Sequence, residues 1–429
     1  MLRRLDLRGI KDAAELARQL PRPRLAGDDV TAKVKDIVEG VRTGGDRAVR
    51  NYTLHFDQVD LPVVRVSPAE IEAGKAGVSA ELYSKLKKAY DNIIAYQSYE
   101  PPPLPPFRRG GLEVVELLRP VSRAGIYAPG GRAAYPSTVL MCAAPAHVAK
   151  VPELVLCVPP RKDGTVPEVV LAAAEIAGIE EIYKIGGAQA IAAMAFGTES
   201  LKSVDVIVGP GNRYVAEAKR LVSQWVGIPS SFAGPSEVVV IADGTVDLEA
   251  VALDVVVQAE HGPDGLAWLI TWVEEVVETV SSFVGRVVVA SPRSEEIRTT
   301  LDSGGYAVVV DGPTEAMAVA NAVAPEHLEL CVEDPKALVE MVQNAGAVFL
   351  GAYAPASIGD YAAGPNHVLP TNGSARFASA LRPDDFRKRI HAVSADRSAL
   401  CDLADTVITI AEAEGLPAHA EAVRLRCMR

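Results

Sequence analysis

The middle of the chain alternates short apolar runs with glycine-rich turns, and each turn leads into a helical segment. The apolar runs that read as strands are residues 124–128, 154–158, 181–185 and 204–208. The glycine-rich turns are Pro129-Gly130-Gly131, Gly186-Gly187-Ala188-Gln189 and Gly209-Pro210-Gly211-Asn212. Repeated strand–turn–helix units of this kind predict a parallel, doubly wound sheet with right-handed crossovers. The fold class is therefore α/β.

These three turns also predict a ligand site. Glycine lets a ligand approach the backbone closely, and the start of a helix favours negatively charged groups. Ligands of such sheets collect at the carboxyl ends of the strands. None of the turns matches G-x-G-x-x-G, and a single glycine turn is also typical of ordinary left-handed backbone. Three of them in one sheet indicate a nucleotide site.

A second α/β region follows residue 236. Its predicted strands are residues 238–241, 268–272, 287–290, 308–310 and 348–350. Its predicted helices include residues 248–261 and 314–323. At the start of the chain, residues 1–20 read as an amphipathic helix that ends at Pro21 and Pro23, and residues 29–100 read as mostly helical. A chain of 429 residues exceeds what one hydrophobic core usually supports, so we expect at least two domains.

Composition narrows the class of partner. A net charge of −12 argues against nucleic acid and anionic membranes, and no apolar run is long enough to span a bilayer. The acidic Asp6 interrupts the start of the chain before a signal peptide could form. The five cysteines are scattered and include no C-x-x-C, which favours a reducing cytoplasm over a disulfide framework. We expect a cytoplasmic enzyme with a small-molecule substrate.

Histidines in polar surroundings indicate a metal and a base. Gln258 and His261 lie on one face of the predicted helix 248–261, although a capped helix end would have the same residues. His327 follows Glu326 directly, which is more readily explained as a poised base than as a surface pair. Asp360 follows a glycine, and on its own it is better explained as part of a turn. Together, imidazole, carboxylate and amide oxygen suit zinc, and an acid beside an imidazole suits proton transfer.

Eight motifs, in matching order from about residue 30 to the end, resemble the histidinol dehydrogenase family. They are Gly125-Ile126-Tyr127-x-Pro129-Gly130-Gly131, Gly186-Gly187-Ala188-Gln189-Ala190-Ile191-Ala192, Val208-Gly209-Pro210-Gly211-Asn212, Ala233-Gly234-Pro235-Ser236-Glu237, Gln258-Ala259-Glu260-His261, Ala324-Pro325-Glu326-His327-Leu328-Glu329, Gly364-Pro365-Asn366-His367-Val368-Leu369-Pro370-Thr371 and Gly415-Leu416-x-Ala418-His419.

The resemblance implies two NAD-dependent oxidations that convert L-histidinol through histidinal to L-histidine, the last step of histidine biosynthesis. It implies one zinc ion per subunit, with Gln258, His261, Asp360 and His419 as ligands. It implies that His327 is the general base and that Glu326 activates the water that hydrates the aldehyde. Substrate-binding roles are implied for Ser236, Gln258, His261, His327, Asp360, His367, Glu414 and His419. NAD-binding roles are implied for Tyr127, Gln189 and Asn212.

The same resemblance implies a homodimer in which each C-terminal arm supplies a ligand to the other subunit. The expected architecture has two Rossmann-like doubly wound domains, an N-terminal helix and this exchanged arm. The boundaries that we expect are 1–24 for the N-terminal helical segment, 25–124 and 236–381 for the zinc and substrate domain, 125–235 for the NAD-binding domain, and 382–429 for the arm.

Two segments depart from the family pattern. Ala95-Tyr96-Gln97-Ser98-Tyr99 stands where the family has Phe-His-x-x-Gln, and residues 114–118 lack its Gly-Gln. Both lie near the expected substrate side, so a related zinc and NAD dehydrogenase of another small polar alcohol stays an alternative. A zinc hydrolase would also use His, Asp and a Glu-activated water, but the glycine-rich turns favour a dehydrogenase. A non-catalytic zinc-linked dimer is disfavoured by the Glu326-His327 pair.

Overall fold

The computed structural model describes residues 1–21, 28–130, 133–229, 236–262 and 265–428. Pro23, Gly131, Gly234, Pro235 and Pro263, and the expected boundaries at 24–25 and at 235, lie outside the described residues. The chain forms two compact units. The first unit comprises Met1–Ser98 and Ser122–Asp385, and the second comprises Tyr99–Val121 and Phe386–Arg429.

The helices and strands alternate through most of the chain. The helices are α1 (Ala13–Gln19), α2 (Asp28–Asp57), α3 (Pro68–Ala76), α4 (Ala80–Gln97), α5 (Pro136–Val148), α6 (Glu168–Ile176), α7 (Gly187–Phe196), α8 (Arg213–Val222), α9 (Leu248–Val257), α10 (Glu274–Ala290), α11 (Ser294–Gly304), α12 (Pro313–Val323), α13 (Pro335–Val339), α14 (Ala356–Tyr361), α15 (Arg397–Ala413) and α16 (Pro417–Met428). The strands are β1 (Arg3–Asp6), β2 (Phe107–Arg109), β3 (Leu112–Pro120), β4 (Arg123–Tyr127), β5 (Glu153–Cys157), β6 (Glu181–Tyr183), β7 (Val206–Val208), β8 (Glu237–Ala242), β9 (Leu266–Thr271), β10 (Gly305–Val309), β11 (His327–Cys331), β12 (Ala347–Leu350) and β13 (Arg387–Ala395). Short 3₁₀ turns occupy Gln258–His261, Ser374–Arg376 and Pro383–Phe386.

The first unit contains two parallel sheets, which confirms the α/β prediction. The small sheet has the strand order β6-β5-β4-β7, and the large sheet has the order β1-β10-β9-β8-β11-β12. Every strand pair in both is parallel. Apolar clusters pack on both faces of these strands, as parallel sheets require. Both sheets belong to one compact unit, so the expected division into a zinc domain and an NAD domain stays a prediction.

The predicted helix over residues 1–20 is wrong for its first half. Residues 3–6 form β1, which pairs in parallel with β10 at the edge of the large sheet. The helix begins only at α1, after Asp12 caps its first turn. Leu7, Leu16 and Leu20 are buried in the cluster beneath this sheet. The spacing of the apolar residues therefore reflects their burial against the sheet. Residues 3–6 adopt an extended backbone because they pair with β10, which is distant in the sequence.

The predicted strand over residues 287–290 is also wrong, because these residues end α10. Its buried positions include Val276, Val280, Val284 and Val288, which recur every four residues. That spacing places them on one face of a helix. The local run of valines favours a strand, but packing along the whole helix overrides this intrinsic preference.

The second unit combines an antiparallel sheet with two helices. Its strand order is β13-β3-β2, and α15 and α16 carry the paired cysteines Cys401 and Cys427. The sequence argument against a disulfide framework did not predict this single pair. Cys142, Cys157 and Cys331 are buried free thiols. The cytoplasmic location stays a prediction. Among the described helices, none is long and apolar enough to cross a membrane.

Candidate active site

A cleft of 2610 Å³ in the first unit is bordered by both parallel sheets. The small sheet contributes its carboxyl edge, where Tyr127 ends β4 and Asn212 follows β7. The large sheet contributes its amino edge, where Ser236 precedes β8 and His327 begins β11. Val238 and His327 are paired neighbours, so the amino ends of β8 and β11 lie side by side.

The turn after β7 has a backbone shape that only glycine tolerates. Gly209 has φ +104°, and a Cβ built there would lie 2.0 Å from the carbonyl oxygen of Tyr127. The Nζ of the buried Lys219 donates a hydrogen bond to the Gly209 carbonyl oxygen. Burial lowers the pKa of Lys219 to about 8. Asn212 ends the turn by capping α8, with its Oδ1 accepting from the N–H groups of Tyr214 at 3.0 Å and Val215 at 3.2 Å.

The other two residues expected to contact NAD occupy different environments. Tyr127 lines the cleft, and its hydroxyl accepts the Gly187 N–H at 3.1 Å, which joins the end of β4 to the start of α7. Burial raises the pKa of Tyr127, so the phenol stays neutral. Gln189 is buried in the first turn of α7 and is not among the described residues that line the cleft. The NAD-binding roles of all three residues stay predictions.

The amino edge of the large sheet holds the Glu326–His327 pair. Ala324 ends α12 in the left-handed region at φ 53°, which turns the chain into β11. His327 Nε2 lies 3.2 Å from Asp360 Oδ1, and its Nδ1 lies 3.3 Å from the Glu237 carbonyl oxygen. Because both partners can only accept, both ring nitrogens donate and the imidazole is protonated.

The pKa values of the pair are tuned by burial and by each other. Burial lowers the pKa of His327, but Glu326 and the hydrogen bond to Asp360 outweigh it and raise the value to about 9. Burial raises the pKa of Glu326 to about 7, against the opposing effects of His327 and the Glu237 N–H, which donates to Glu326 Oε2 at 3.0 Å. A carboxyl group with a pKa near neutrality is suited to accept and release protons.

Three of the four residues expected to bind zinc line the same cleft: Gln258, His261 and Asp360. Gln258 is 2% exposed, and its Nε2 finds no hydrogen-bond partner among the described residues. Burial lowers the pKa of His261, so its imidazole is neutral. The His261 ring stacks on Tyr135, with the ring centroids 6.4 Å apart. Burial raises the pKa of Asp360, but the hydrogen bond and charge of His327 outweigh it and the carboxyl is ionised. This donor set of amide, neutral imidazole and carboxylate fits zinc.

Comparison with known proteins decides the family. The sequence profile described as histidinol dehydrogenase matches residues 20–427. The chain is 46% identical over 425 residues to the histidinol dehydrogenase of Moorella thermoacetica, covering 97% of this chain and 98% of that protein. It is 43% identical over 417 residues to that of Chlorobaculum tepidum, with 97% of each covered. The chain belongs to the histidinol dehydrogenase family.

The fold agrees with this membership. The crystal structure of histidinol dehydrogenase from Elizabethkingia anophelis superimposes with a TM-score of 0.93 at 36% identity, covering 99% of this chain and 98% of that one. Members of the histidinol dehydrogenase family are NAD-dependent oxidoreductases that oxidise histidinol in histidine biosynthesis. The assignment of an NAD-dependent dehydrogenase made from the motifs is therefore confirmed.

The remaining residues that the family resemblance implies are divided between the two units. Ser236 and His367 line the cleft, and His367 Nδ1 donates to the Asp360 carbonyl oxygen at 2.8 Å. Burial lowers the pKa of His367, which keeps its ring neutral. Glu414 ends α15 and His419 lies in the first turn of α16, and both are exposed on the second unit. The site roles of these four residues stay predictions.

Sequence reasoning gave no role to two residues of this site, Glu237, which ends one of the quoted motifs, and Phe349. Glu237 is buried, its N–H and carbonyl hold Glu326 and His327, and burial next to Glu326 raises its pKa to about 8. Phe349 stacks on His327 with ring centroids 6.1 Å apart. The sequence does give one indication of Glu237, which begins an otherwise apolar strand. A carboxylate is rarely buried unless it has a partner, so such a position indicates a specific role. The contact with Phe349 depends on strand order and has no local signal.

Proposed function

We propose that this chain catalyses the four-electron oxidation of L-histidinol through L-histidinal to L-histidine, with two molecules of NAD and one zinc ion per subunit. The observation that carries the proposal is the buried Glu326–His327 pair. His327 Nδ1 lies 3.7 Å from Glu326 Oε2, at the same cleft that the glycine-rich turns border. Membership of the histidinol dehydrogenase family supports the substrate and the direction of the reaction.

Zinc would be held by Gln258, His261 and Asp360, with His419 of the partner subunit as the fourth ligand. The neutral His261 and the ionised Asp360, which line the same cleft as the buried Gln258, support this assignment. When bound, zinc supplies a fixed positive centre that orients the imidazole and amine of the substrate.

In the first oxidation, His327 accepts the hydroxyl proton of histidinol while the carbinol carbon transfers hydride to NAD. The products are histidinal, NADH and a protonated His327. His327 must begin this step as a neutral imidazole. Its Nε2 hydrogen bond is to the carboxylate of Asp360, a proposed zinc ligand. Ser236 and His367, with Glu414, would hold the substrate, while Tyr127, Gln189 and Asn212 would face NAD.

In the second oxidation, Glu326 removes a proton from water as the water oxygen adds to the aldehyde carbon. The resulting hydrate anion would lose hydride from the same carbon, with a second NAD as the acceptor, and would lose one further proton, which gives the carboxylate of histidine. A carboxyl group with a pKa of about 7 can take and return this proton at neutral pH.

The stoichiometry of the reaction tests the assignment. Histidinol supplied with excess NAD should yield histidine and two NADH for each histidinol consumed. If one NADH forms and aldehyde accumulates, the protein is a simple alcohol dehydrogenase of the same fold. If histidinol gives no NADH while another small polar alcohol does, the protein is a related dehydrogenase of that alcohol.

Removal of the metal tests the proposed ligands. Chelation should abolish turnover, and added zinc or manganese should restore it. His261→Ala should lose bound metal while its circular dichroism spectrum matches that of the unmodified protein. Full activity in a preparation verified as metal-free would overturn the zinc proposal.

Mixed dimers test the exchange of the C-terminal arm. His261→Ala and His419→Ala homodimers should both be inactive. If the arm is exchanged, a heterodimer of the two variants has both defects in one site and neither in the other, so half of the sites recover activity. Verified heterodimers without activity would mean that His419 serves the site of its own chain.

A further inference from the structure

A second carboxyl pair lies beneath the candidate active site. Asp254 is on α9 and Glu329 is on β11, and Glu329 is 1% exposed. One carboxyl oxygen of each residue and the sulfur of Cys331 lie within 4.8 Å of one another. Cys331 Sγ lies 4.0 Å from Asp254 Oδ2. Neither carboxyl group has a role in the steps described above.

The hydrogen bonds of Glu329 require a proton on this pair. Its Oε1 accepts the Ala356 N–H at 3.2 Å, but its Oε2 is buried and accepts no hydrogen bond from any described residue. An ionised carboxylate with an unsatisfied buried oxygen is strongly disfavoured. Burial raises the pKa of Glu329 to about 8, with the repulsion of Asp254 acting in the same direction, and burial raises the pKa of Asp254 to about 6. A protonated Glu329 that donates to Asp254 satisfies both groups.

The pair joins three elements that carry site residues. Asp254 lies in the last turn of α9, four residues before Gln258, which directly follows this helix. Glu329 is two positions after His327 and faces the same side of the large sheet. Ala356, whose N–H it holds, is the first residue of α14, the helix that carries Asp360.

We propose that the hydrogen bond from Glu329 to Asp254, with the Ala356 N–H bound to Glu329, is a positioning device that holds Gln258, His327 and Asp360 in the arrangement that binds zinc. This inference rests on the proposed function, because it concerns the same metal. The pair contacts neither substrate nor cofactor. It acts by fixing α9, β11 and α14 against one another, and outer partners of this kind set the affinity of a metal site.

The test compares substitutions that keep or remove the hydrogen bonds. Glu329→Gln keeps an acceptor for Ala356 and a donor for Asp254, and Asp254→Asn keeps an acceptor for Glu329. Both should bind zinc as tightly as the unmodified protein. Glu329→Met has similar volume but no hydrogen bonds, and its zinc affinity should fall by about 10–100-fold. Cys157→Ala removes a buried free thiol on β5 of the small sheet, away from this pair, and as the control it should leave zinc affinity unchanged.

Amide exchange of the metal-free protein gives a second readout that does not depend on zinc. Glu329→Met should speed exchange at residues 356–361, whereas Glu329→Gln should not. If the unmodified protein binds no zinc, the metal of the proposed function fails, and the exchange comparison still decides the positioning role. Loss of zinc in Glu329→Gln equal to that in Glu329→Met would overturn the inference. A second zinc ion per chain that Asp254→Asn removes would also overturn it, because the pair would then be a metal site.

Discussion

The two parallel sheets contribute to the cleft in different ways. The carboxyl edge of the small sheet is shaped mainly by backbone, through the turn at Gly209 and the capped start of α8 at Asn212. The amino edge of the large sheet is built from buried ionisable side chains, chiefly Glu326 and His327. The rule that ligands collect at carboxyl ends of parallel strands describes only the first edge. We infer that the carboxyl edge of the small sheet accommodates the cofactor through its backbone. The amino edge of the large sheet would supply ionisable side chains with shifted pKa values for proton transfer.

The largest expected effect is at the amino edge of the large sheet. His327→Asn should slow the first oxidation by about 10²–10⁴-fold, because the hydroxyl proton then lacks an acceptor. Glu326→Gln should slow the conversion of histidinal to histidine more than the conversion of histidinol to histidinal. Single-turnover measurements with each substrate separate the two steps.

Binding of NAD provides the control for these two variants. If the two edges have separate roles, both variants should bind NAD, measured by quenching of intrinsic fluorescence, as the unmodified protein does. Equal slowing of both steps by Glu326→Gln would contradict its assignment to water activation. A large loss of NAD binding in either variant would contradict the division of roles.

Two glycines allow a matched comparison of the edges. A Cβ at Gly209 would meet the Tyr127 carbonyl oxygen at 2.0 Å, and a Cβ at Gly346 would meet the Glu326 carbonyl oxygen at 2.6 Å. Only Gly209 also has a left-handed φ. Each alanine substitution should cost roughly 1–4 kcal/mol in the free energy of unfolding, with Gly209→Ala the more costly. Denaturant titration measures this.

The kinetic consequences of these substitutions should differ. Gly209→Ala should raise the KM for NAD, because it distorts the turn at the carboxyl edge of the small sheet. Gly346→Ala should lower kcat, because it displaces Glu326. The opposite pattern would show that the edges exchange roles.

A smaller effect concerns pH and the buried Glu237. Its pKa is raised from 4.5 to about 8 by burial and by Glu326, so the folded protein holds this proton more tightly than the unfolded chain. Its contribution to stability is complete below pH 4.5 and is lost as the pH rises to about 8. The metal-free protein should therefore lose stability relative to Glu237→Gln over this range, by on the order of 1–3 kcal/mol. Urea unfolding at several pH values checks it, and a constant difference would refute it.

The smallest expected effect is at the small sheet. Tyr127→Phe removes the hydroxyl that accepts the Gly187 N–H, which should cost about 1 kcal/mol of stability. The KM for NAD should rise modestly while zinc affinity stays the same. A kcat loss as large as that of His327→Asn would mean that Tyr127 takes part in the chemistry.

Sequence reasoning predicted the strands of the small sheet and the Glu326–His327 pair because their signals are local. An apolar run, a glycine turn and an acid next to a histidine can each be read within ten residues. The parallel fold followed from their repetition. Three proposed zinc ligands also lie in one cleft, as the family motifs imply.

Features that depend on distant pairing could not be predicted. β1 is a strand because β10 lies beside it, and α10 is a helix because one face packs along its whole length. Glu237 and Glu329 appear in the sequence as single carboxylates within apolar runs, and only the order of β8, β11 and α14 reveals what they hold. The odd number of cysteines concealed the pairing of Cys401 with Cys427.

The pairing of β3 with β13 also has a consequence for biosynthesis. In the antiparallel ladder Pro120 lies opposite Arg387, so the partner strand leaves the ribosome roughly 270 residues after β3. At about 5–20 residues per second, β3 waits on the order of tens of seconds with that edge unpaired. The nascent chain therefore carries an open strand edge, a template for pairing with other chains, while the first unit is being synthesised. Intermolecular pairing during translation is the hazard that this order of elements creates, and chaperones that bind extended segments would protect residues 112–120.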